Sequence, residues 1–91
     1  MNTRTSILVE AETLINKDRA EQYGPAQESF GCIATMWGAY LGYPVTTADV
    51  CHLIALLKIA RLRNGPHRDS KVDGAGYMAL VPEMREGEWT Q

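Results

Sequence analysis

Positive charge is concentrated in one short segment of an otherwise acidic chain, the stretch from Lys58 to Lys71. This basic segment holds five of the nine Lys and Arg residues with one acid, Asp69, and therefore carries a net charge of +4. The other four basic and ten acidic residues sum to −6, which gives the chain its total of −2. Such an asymmetry within a small protein favours a local site for an anion, although a solvated helix face is the simpler interpretation.

Lys58 and Arg61 have a spacing that suits the binding of one phosphate. They are three residues apart in a helical pattern and so share one face, where Arg61 can grip a phosphate with two hydrogen bonds and Lys58 acts as a point charge. Basic residues in the last turns of a helix also complement its dipole, which is an equally good interpretation of Arg61. Lys58 interrupts the apolar run LIALLKIA, where an ammonium needs water, an acid or a ligand.

Further residues that would complete such a site flank this pair in the sequence. His67 and Arg68 occupy the next loop, a frequent location of anion-binding residues. Tyr23 and Tyr77 are candidates to stack on a nucleotide base, an interaction that contributes about 1 to 3 kcal/mol per base. The predicted ligand-binding residues are the basic Arg19, Lys58, Arg61, His67 and Arg68, the acidic Asp69 and Asp73, and the aromatic Tyr23 and Tyr77.

Asp73 has two structural interpretations besides a role at this site. Ser70 and Asp73 have the spacing of a capping box, in which Ser70 would cap the fourth helix. A salt bridge from Asp73 or Asp69 to Lys58 or Arg61 would instead tie the third helix to the fourth. In the binding hypothesis the same two acids orient the basic groups or accept hydrogen bonds from sugar hydroxyls.

The remaining reactive residues do not form a catalytic or metal-binding pattern. His52 and His67 are 15 residues apart without acids at ligand spacing, so we predict no metal site. Cys32 and Cys51 lie in apolar helical sequence with no C-x-x-C motif, and we predict that both are buried, reduced thiols. No arrangement of Ser, His and Asp indicates nucleophilic catalysis, so we predict no catalytic residues and no cofactor.

Four amphipathic helices must position these residues. Apolar residues recur every three or four positions in four segments, and the tail has no clear period. Thr46 and Asp49 have capping-box spacing at the start of the third helix, which is apolar over most of its circumference and is predicted to be central. We predict an all-α, compact four-helix bundle in a single domain. The predicted helices are residues 6–20, 25–41, 47–63 and 71–81, followed by the tail 82–91.

Length and composition limit the possible functions. A chain of 91 residues buries only about 60 to 65% of its unfolded surface and gains stability from self-association, so we expect a homo-oligomer. With 45% hydrophobic residues and a net charge of −2, the chain is neither disordered nor suited to duplex nucleic acid. Glu10 and Glu12 interrupt the first apolar run, so we expect no signal peptide, no membrane span and a cytoplasmic location.

Glycines inside two predicted helices need an explanation, because each costs about 1 kcal/mol of helix propensity relative to Ala. Gly31 and Gly38 lie in the second helix, and Gly74 and Gly76 in the fourth. Close approach between helices explains both pairs. For Gly74 and Gly76, which fall in the first turn of the predicted fourth helix, approach of the backbone to a bound anion is the alternative.

Six short motifs follow one another along the chain: DRAEQYG, MWGAYLG, ADV, LLKIARL, GPHRDS and VDGAGYMAL. In this order they resemble a family of short helical proteins of phages and prophages. In that family D/E-R-x-x-x-Y-G, W-x-x-Y-L-G, K-I-A-R and D-x-x-x-D-x-x-G-Y segments recur, and the resemblance covers roughly residues 8–80. It implies a phage origin and the cytoplasm of the host cell, more than it implies a function.

The four-helix plan is also distantly similar to MazG-like, all-helical nucleotide pyrophosphohydrolases, which hold magnesium with an E-x-x-E helix and an E-x-x-D helix. This chain departs from that pattern, since only Asp69 and Asp73 have a one-turn spacing on a helix. The enzyme alternative is therefore a pyrophosphohydrolase with a smaller set of metal ligands, which uses these two residues with Glu21 or Glu28 around Mg²⁺.

Three hypotheses about function follow. The leading one is a phage-type protein whose basic and aromatic pocket binds a phosphate-bearing, nucleotide-derived small molecule and sequesters a nucleotide signal of the host's defence without turnover. The second is the magnesium-dependent pyrophosphohydrolase. The third is a helical adaptor that docks on a host protein through the acidic first helix and Trp89.

Overall fold

The secondary structure is helical throughout the described part of the chain. The computed structural model describes residues 3–19 and 26–84, with side chains for residues 3–16 and 26–84. Neither range contains a strand, which confirms the all-α prediction. No helix in these two ranges combines the length and the apolar character needed to cross a membrane.

Four α-helices pack together, and three of them lead into a short helix of another type. α1 is Thr3–Thr13 and continues as a π-helix, Leu14–Arg19. α2 is Ala26–Leu41. α3 is Thr47–Ala60 and continues as the 3-10 helix Arg61–Asn64. α4 is Arg68–Leu80 and is followed by the 3-10 helix Val81–Glu83.

The turn from α2 to α3 depends on glycine and on a capping box. Gly42 ends α2 with a φ of +69°, and its N–H donates to the carbonyl of Gly38 at 2.8 Å. A Cβ atom at Gly38 would lie 3.2 Å from the carbonyl oxygen of Tyr43, so the close return of the chain favours glycine there. At the start of α3, Thr46 Oγ1 accepts from the N–H of Asp49 at 2.9 Å, and the Asp49 carboxylate accepts from the N–H of Thr46 at 3.0 Å. The predicted capping box is confirmed.

The start of α4 differs from the prediction. α4 begins at Arg68, three residues earlier than expected, and its N-cap is His67, whose Nδ1 accepts from the N–H of Ser70 at 3.2 Å. The predicted capping box of Ser70 with Asp73 is therefore wrong: Ser70 lies inside the helix and is 3% exposed. The imidazole is outside the usual set of capping side chains, Ser, Thr, Asp and Asn, so the sequence pattern missed it.

The helices pack in the order α2, α3, α4, α1. α3 packs against α2 and α4, and α4 packs against α3 and α1. The sequence predicts a central position for α3 alone, whereas α4 holds one as well. Five buried residues from α2, α3 and α4 form the core cluster: Phe30, Ala34, Val50, Cys51 and Leu80.

The two faces of α3 have different environments. The inner face, Val50, Cys51, Ala55 and Lys58, points toward the core, and its three apolar residues are at most 4% exposed. The outer face, Asp49, Leu53, Leu56, Ala60 and Arg63, is exposed along its length. On that face, 44% of Leu53 and 59% of Leu56 remain accessible. The fold thus buries only one of the two apolar faces that the sequence predicts for this helix.

The two cysteines also differ in environment. Cys51 is buried on the inner face of α3, as predicted, but Cys32 is exposed on α2. The prediction that both are buried is therefore wrong for Cys32. The periodicity of α2 places apolar residues on more than one face of the helix, and only packing decides which face is covered.

Gly74 and Gly76 lie at contacts between helices. A Cβ atom at Gly74 would be 3.8 Å from the Cβ of Lys58 on α3, and one at Gly76 would be 3.6 Å from the side chain of Ile15 beyond α1. Because α4 begins at Arg68, neither glycine is in its first turn. The explanation by helix packing fits this placement, and the alternative of an anion at the first-turn amides loses its premise.

Candidate functional site

Lys58 and Asp73 form an ion pair that joins α3 to α4. Lys58 Nζ lies 3.1 Å from Asp73 Oδ2, and the two side chains are 15% and 37% exposed. This confirms the structural alternative in which an acid of the fourth helix forms a salt bridge with the lysine of the apolar run. Lys58 is largely enclosed whereas Asp73 is partly open to water, so the pair is a partly screened link between the two helices on which any site must be built.

Arg68 forms a second interhelical contact, which ties α4 to α1. Its guanidinium donates to the Glu10 carboxylate and, at 2.7 Å, to the hydroxyl of Ser6. Both members of the ion pair are about half exposed. Sequence reasoning missed this contact because the two residues are 58 positions apart and no local spacing links them. The contact orients Arg68 along α1.

Two other predicted site residues take part in the fold. Tyr77 stacks on Phe30 of the core, with ring centroids 5.8 Å apart and planes inclined by 27°. His67 caps α4 and its Nδ1 also lies 2.6 Å from Ser70 Oγ. Because Nδ1 accepts the backbone N–H of Ser70, the neutral ring carries its proton on Nε2. Both rings therefore already have contacts within the chain.

Of the remaining members of the predicted set, two are exposed on the surface and two lie outside the described residues. Arg61 is exposed at the end of α3, and Asp69 is exposed in the first turn of α4. The side chain of Arg19 and the whole of Tyr23 lie outside the described residues. The structure thus brings Lys58 together with Asp73, and places Arg68 against α1 and Tyr77 in the core.

A groove of about 630 Å³ runs between α3 and α4. Its walls are mostly apolar, and the polar side chains on them are few. From α3 and its 3-10 extension the α3–α4 groove is lined by His52, Ala55, Leu56, Ile59 and Leu62; from α4 it is lined by Ser70, Lys71, Gly74, Ala75 and Met78. Gly74 and Ala75 are small, and this leaves room between the two helices.

The polar side chains of the α3–α4 groove are His52 and Lys71 near its two ends and the buried Ser70. Lys71 is exposed and forms no ion pair within the described part of the chain. The same holds for Arg61 and Arg63 at the end of α3. These three cations of the basic segment are therefore unneutralised, in contrast to Lys58 and Arg68.

Sequence reasoning counted Lys71 in the charge of the basic segment but did not include it among the site residues, and it also left out His52 and Arg63. A usable signal was present in α4, where Lys71, Gly74, Ala75 and Met78 have the i, i+3, i+4, i+7 spacing of one helix face. That face combines a lysine at one end with small residues in the middle and an apolar residue at the other end.

A second cavity, between α1 and α4, has the opposite charge. It measures about 240 Å³, and its polar lining includes Glu12 and Glu83. Two carboxylates make it less suitable for an anion than the α3–α4 groove. Within residues 3–19 and 26–84, no group of three or more His, Cys, Asp and Glu side chains is placed to hold a metal ion. Glu21 of the enzyme alternative lies outside these residues.

Comparison with known proteins places the chain among phage proteins, as the sequence motifs predict. A family model described as a domain of unknown function, DUF6378, matches residues 6–85. The Gene 55 protein of Mycobacterium phage L5 is 49% identical over 82 residues, which cover 88% of this chain and 53% of that protein. For the Gene 55 protein of Mycobacterium phage D29 the identity is 43%, over 89% of this chain and 54% of that protein. The chain thus spans about half the length of these relatives, and no solved structure matches it.

Proposed function

The chain belongs to the DUF6378 family and is related to phage proteins, and we propose that it is a binding protein for a phosphate-bearing, nucleotide-derived small molecule. It holds this molecule in the α3–α4 groove without turnover and thereby sequesters a nucleotide signal of the host's defence. The observation that carries the proposal is an apolar groove with a cation on its wall, Lys71, that has no ion-pair partner in the described ranges.

The size and lining of the α3–α4 groove suit a molecule with an apolar body and few polar groups. Its volume of about 630 Å³ falls within the range of roughly 300 to 1,000 Å³ that is usual for small-molecule sites. Ile59, Leu62 and Met78 offer an apolar wall to a base. The His52 ring, at the end of the groove away from Lys71, is assigned to stacking on that base, a role that histidine shares with the larger aromatic residues.

The charge of the basic segment supports a phosphate at the other end of the groove. Lys71 lines this end of the groove, and Arg61 is exposed at the adjoining end of α3. Neither has a carboxylate partner in the described residues, so their charge is available to an anion. Lys58 and Arg68 are assigned a supporting role, because their ion pairs hold α3 and α1 against α4. Arg19 and Tyr23 stay candidates for the same ligand.

Sequestration places modest demands on a site, since it requires affinity and no chemistry on the bound molecule. A groove with a cation at one end and an aromatic ring at the other provides attraction and orientation, which are the two requirements. The two curated relatives carry only the name Gene 55 protein, so the ligand is argued from the groove and from the phage relationship of the chain.

The test is retention of nucleotides by the pure protein. The protein is incubated with Mg²⁺ and a panel of nucleoside triphosphates, cyclic oligonucleotides and ADP-ribose derivatives, then filtered, and both fractions are chromatographed after heat denaturation. A compound that disappears from the filtrate and returns intact from the denatured protein supports sequestration. Conversion to a monophosphate supports the pyrophosphohydrolase alternative, and Asp69→Asn and Asp73→Asn then identify its carboxylates. If every compound passes through unchanged, the proposed function is wrong and the adaptor hypothesis comes next.

Charge reversal at Lys71 separates the groove from general electrostatics. Lys71→Glu removes a charged hydrogen-bond donor and adds repulsion, so we expect a retained nucleotide to bind about 10- to 100-fold more weakly. Arg4→Glu is the matched control, because Arg4 is an exposed cation of α1 that has no ion pair in the described residues. Equal losses of affinity in the two variants, measured by titration calorimetry, would place the ligand elsewhere.

A further inference from the structure

The outer face of α3 has the spacing of a helix-pairing seam. Asp49, Leu53, Leu56, Ala60 and Arg63 follow one another at intervals of four, three, four and three residues. This is the repeat with which helices pack side by side in coiled coils, where such positions form one continuous line. Arg63 lies in the 3-10 extension, in which residues three apart are eclipsed, so it continues the line one turn beyond Ala60.

No element within residues 3–19 and 26–84 covers this line to any large extent. Leu53 and Leu56 are 44% and 59% exposed, and Ala60, Asp49 and Arg63 are exposed as well. The flanking Leu57 adds a third large apolar side chain, at 52% exposed. A row of leucines open to water is the surface feature that marks interaction sites in small proteins. Burial of this surface against another molecule would also add to the small core that a chain of 91 residues can build.

We propose that the outer face of α3 binds the same face of a second copy of this chain, with the two α3 helices antiparallel about a two-fold axis near Leu56. Asp49 and Arg63 each lie seven residues from Leu56, on opposite sides. Antiparallel pairing therefore brings Asp49 of each copy to Arg63 of the other. The two copies of Leu56 meet at the axis, and Leu53 of each copy lies near Ala60 of the other.

Charge complementarity selects this occupant and this orientation. A parallel pair would place the two Asp49 carboxylates together and the two Arg63 guanidiniums together, which repels at both ends. The antiparallel pair makes one attraction at each end. Asp49 retains this ability while it caps α3, because the N–H of Thr46 is bonded to one of its two carboxylate oxygens, Oδ2. Arg63 has no ion-pair partner within the described chain.

A substitution at Ala60 tests whether the face pairs. The mass of the full chain is measured by light scattering and by sedimentation up to about 0.1 mM, with no nucleotide present. We expect a dimer for the original chain and an at least 100-fold weaker dimer for Ala60→Glu, which puts a carboxylate into the seam without disturbing a buried contact. Arg61→Asp is the control, because Arg61 lies on another face of the same turn and its reversal should leave the mass unchanged. A monomer at every concentration overturns the proposal.

Two charge-reversed variants test the seam: each variant alone tests the antiparallel orientation, and their mixture tests the charge pairing. Arg63→Asp has two acids and Asp49→Arg has two bases along the seam, so each should dimerise about tenfold more weakly on its own. In a mixture, every acid of one chain meets a base of the other, and we expect a heterodimer to form at the affinity of the original chain. Failure of the mixture to dimerise, with both variants folded by circular dichroism, contradicts the seam. Because no ligand is used, this result stands apart from that of the nucleotide panel.

Discussion

The inner and outer faces of α3 have similar composition and opposite environments. Val50 and Cys51 on the inner face are fully buried, whereas Leu53 and Leu56 on the outer face are about half exposed. Each face also carries one basic residue near the end of the helix. Lys58 on the inner face has Asp73 as its partner, and Arg63 on the outer face has none in the described residues. The comparison teaches that apolar content identifies a surface to be covered, and that neighbouring helices decide which surface the fold covers.

Truncation of one apolar residue on each face measures this difference directly. Val50→Ala removes methyl groups from a closed core and should lower the free energy of unfolding by about 2 to 3 kcal/mol. Leu53→Ala should cost only about 1 kcal/mol in dilute protein, because nearly half of Leu53 is already accessible in the single chain. Urea unfolding followed by circular dichroism measures both values. Comparable losses at low concentration would show that the outer face is covered within one chain.

The same pair of variants sharpens the comparison when protein concentration is varied. A dimer that forms through the outer face stabilises the folded state by mass action, so the cost of Leu53→Ala should grow with concentration. The cost of Val50→Ala should stay constant. If both costs are independent of concentration, the outer face has no role in association.

Removal of two acids of α4, one paired with α3 and one exposed, tests the role of charge. Asp73→Ala leaves the ammonium of Lys58, 15% exposed, without its partner, and should cost about 1 to 2 kcal/mol. That cost is below the value for a fully buried pair because Asp73 is 37% exposed and water screens it. Asp69→Ala is the control, since this acid is exposed and has no partner in the described ranges; it should cost under about 0.5 kcal/mol. Equal costs would make the ion pair incidental.

The smallest expected effect concerns the cap that starts α4 beside the basic segment. His67→Ala removes the acceptor for the N–H of Ser70 and should lower the free energy of unfolding by about 0.5 to 1 kcal/mol. His67→Asn supplies a common capping oxygen and should restore most of that loss. If His67 binds the ligand instead of capping the helix, both variants should bind the nucleotide more weakly while their urea midpoints stay unchanged.

Local features of the fold were predictable from the sequence. The all-helical class, the end of α2 before Gly42 and the capping box of Thr46 with Asp49 depend on residues within four positions of each other. The ion pair of Lys58 with Asp73 was one of several stated possibilities, because a lysine in an apolar run needs water, an acid or a ligand near its ammonium group. Short-range rules suffice where the partners are neighbours in sequence or where burial demands a partner.

The candidate site depended on contacts that no local rule supplies. The sequence predicts one shared site for Lys58, Arg68 and Tyr77, but in the fold they contact Asp73, Glu10 and Phe30. The α3–α4 groove arises because small residues of α4 face a particular side of α3. The angle between two helices depends on how their side chains pack together, so neither helix sequence alone predicts it. Cys32 shows the same limit, since α2 has apolar residues on several faces and packing chose others to bury.

The sequence by itself determined the all-helical class, the end of α2 at Gly42, the capping box that starts α3, and that positive charge gathers between Lys58 and Lys71. These follow from side-chain periodicity, from glycine, proline and capping groups, and from composition, all of which are local. Only the tertiary structure decided which cations are neutralised and which face of α3 is left open. The physical reason is that neutralisation and burial depend on distances between residues far apart in the chain, and those distances exist only once the helices have packed.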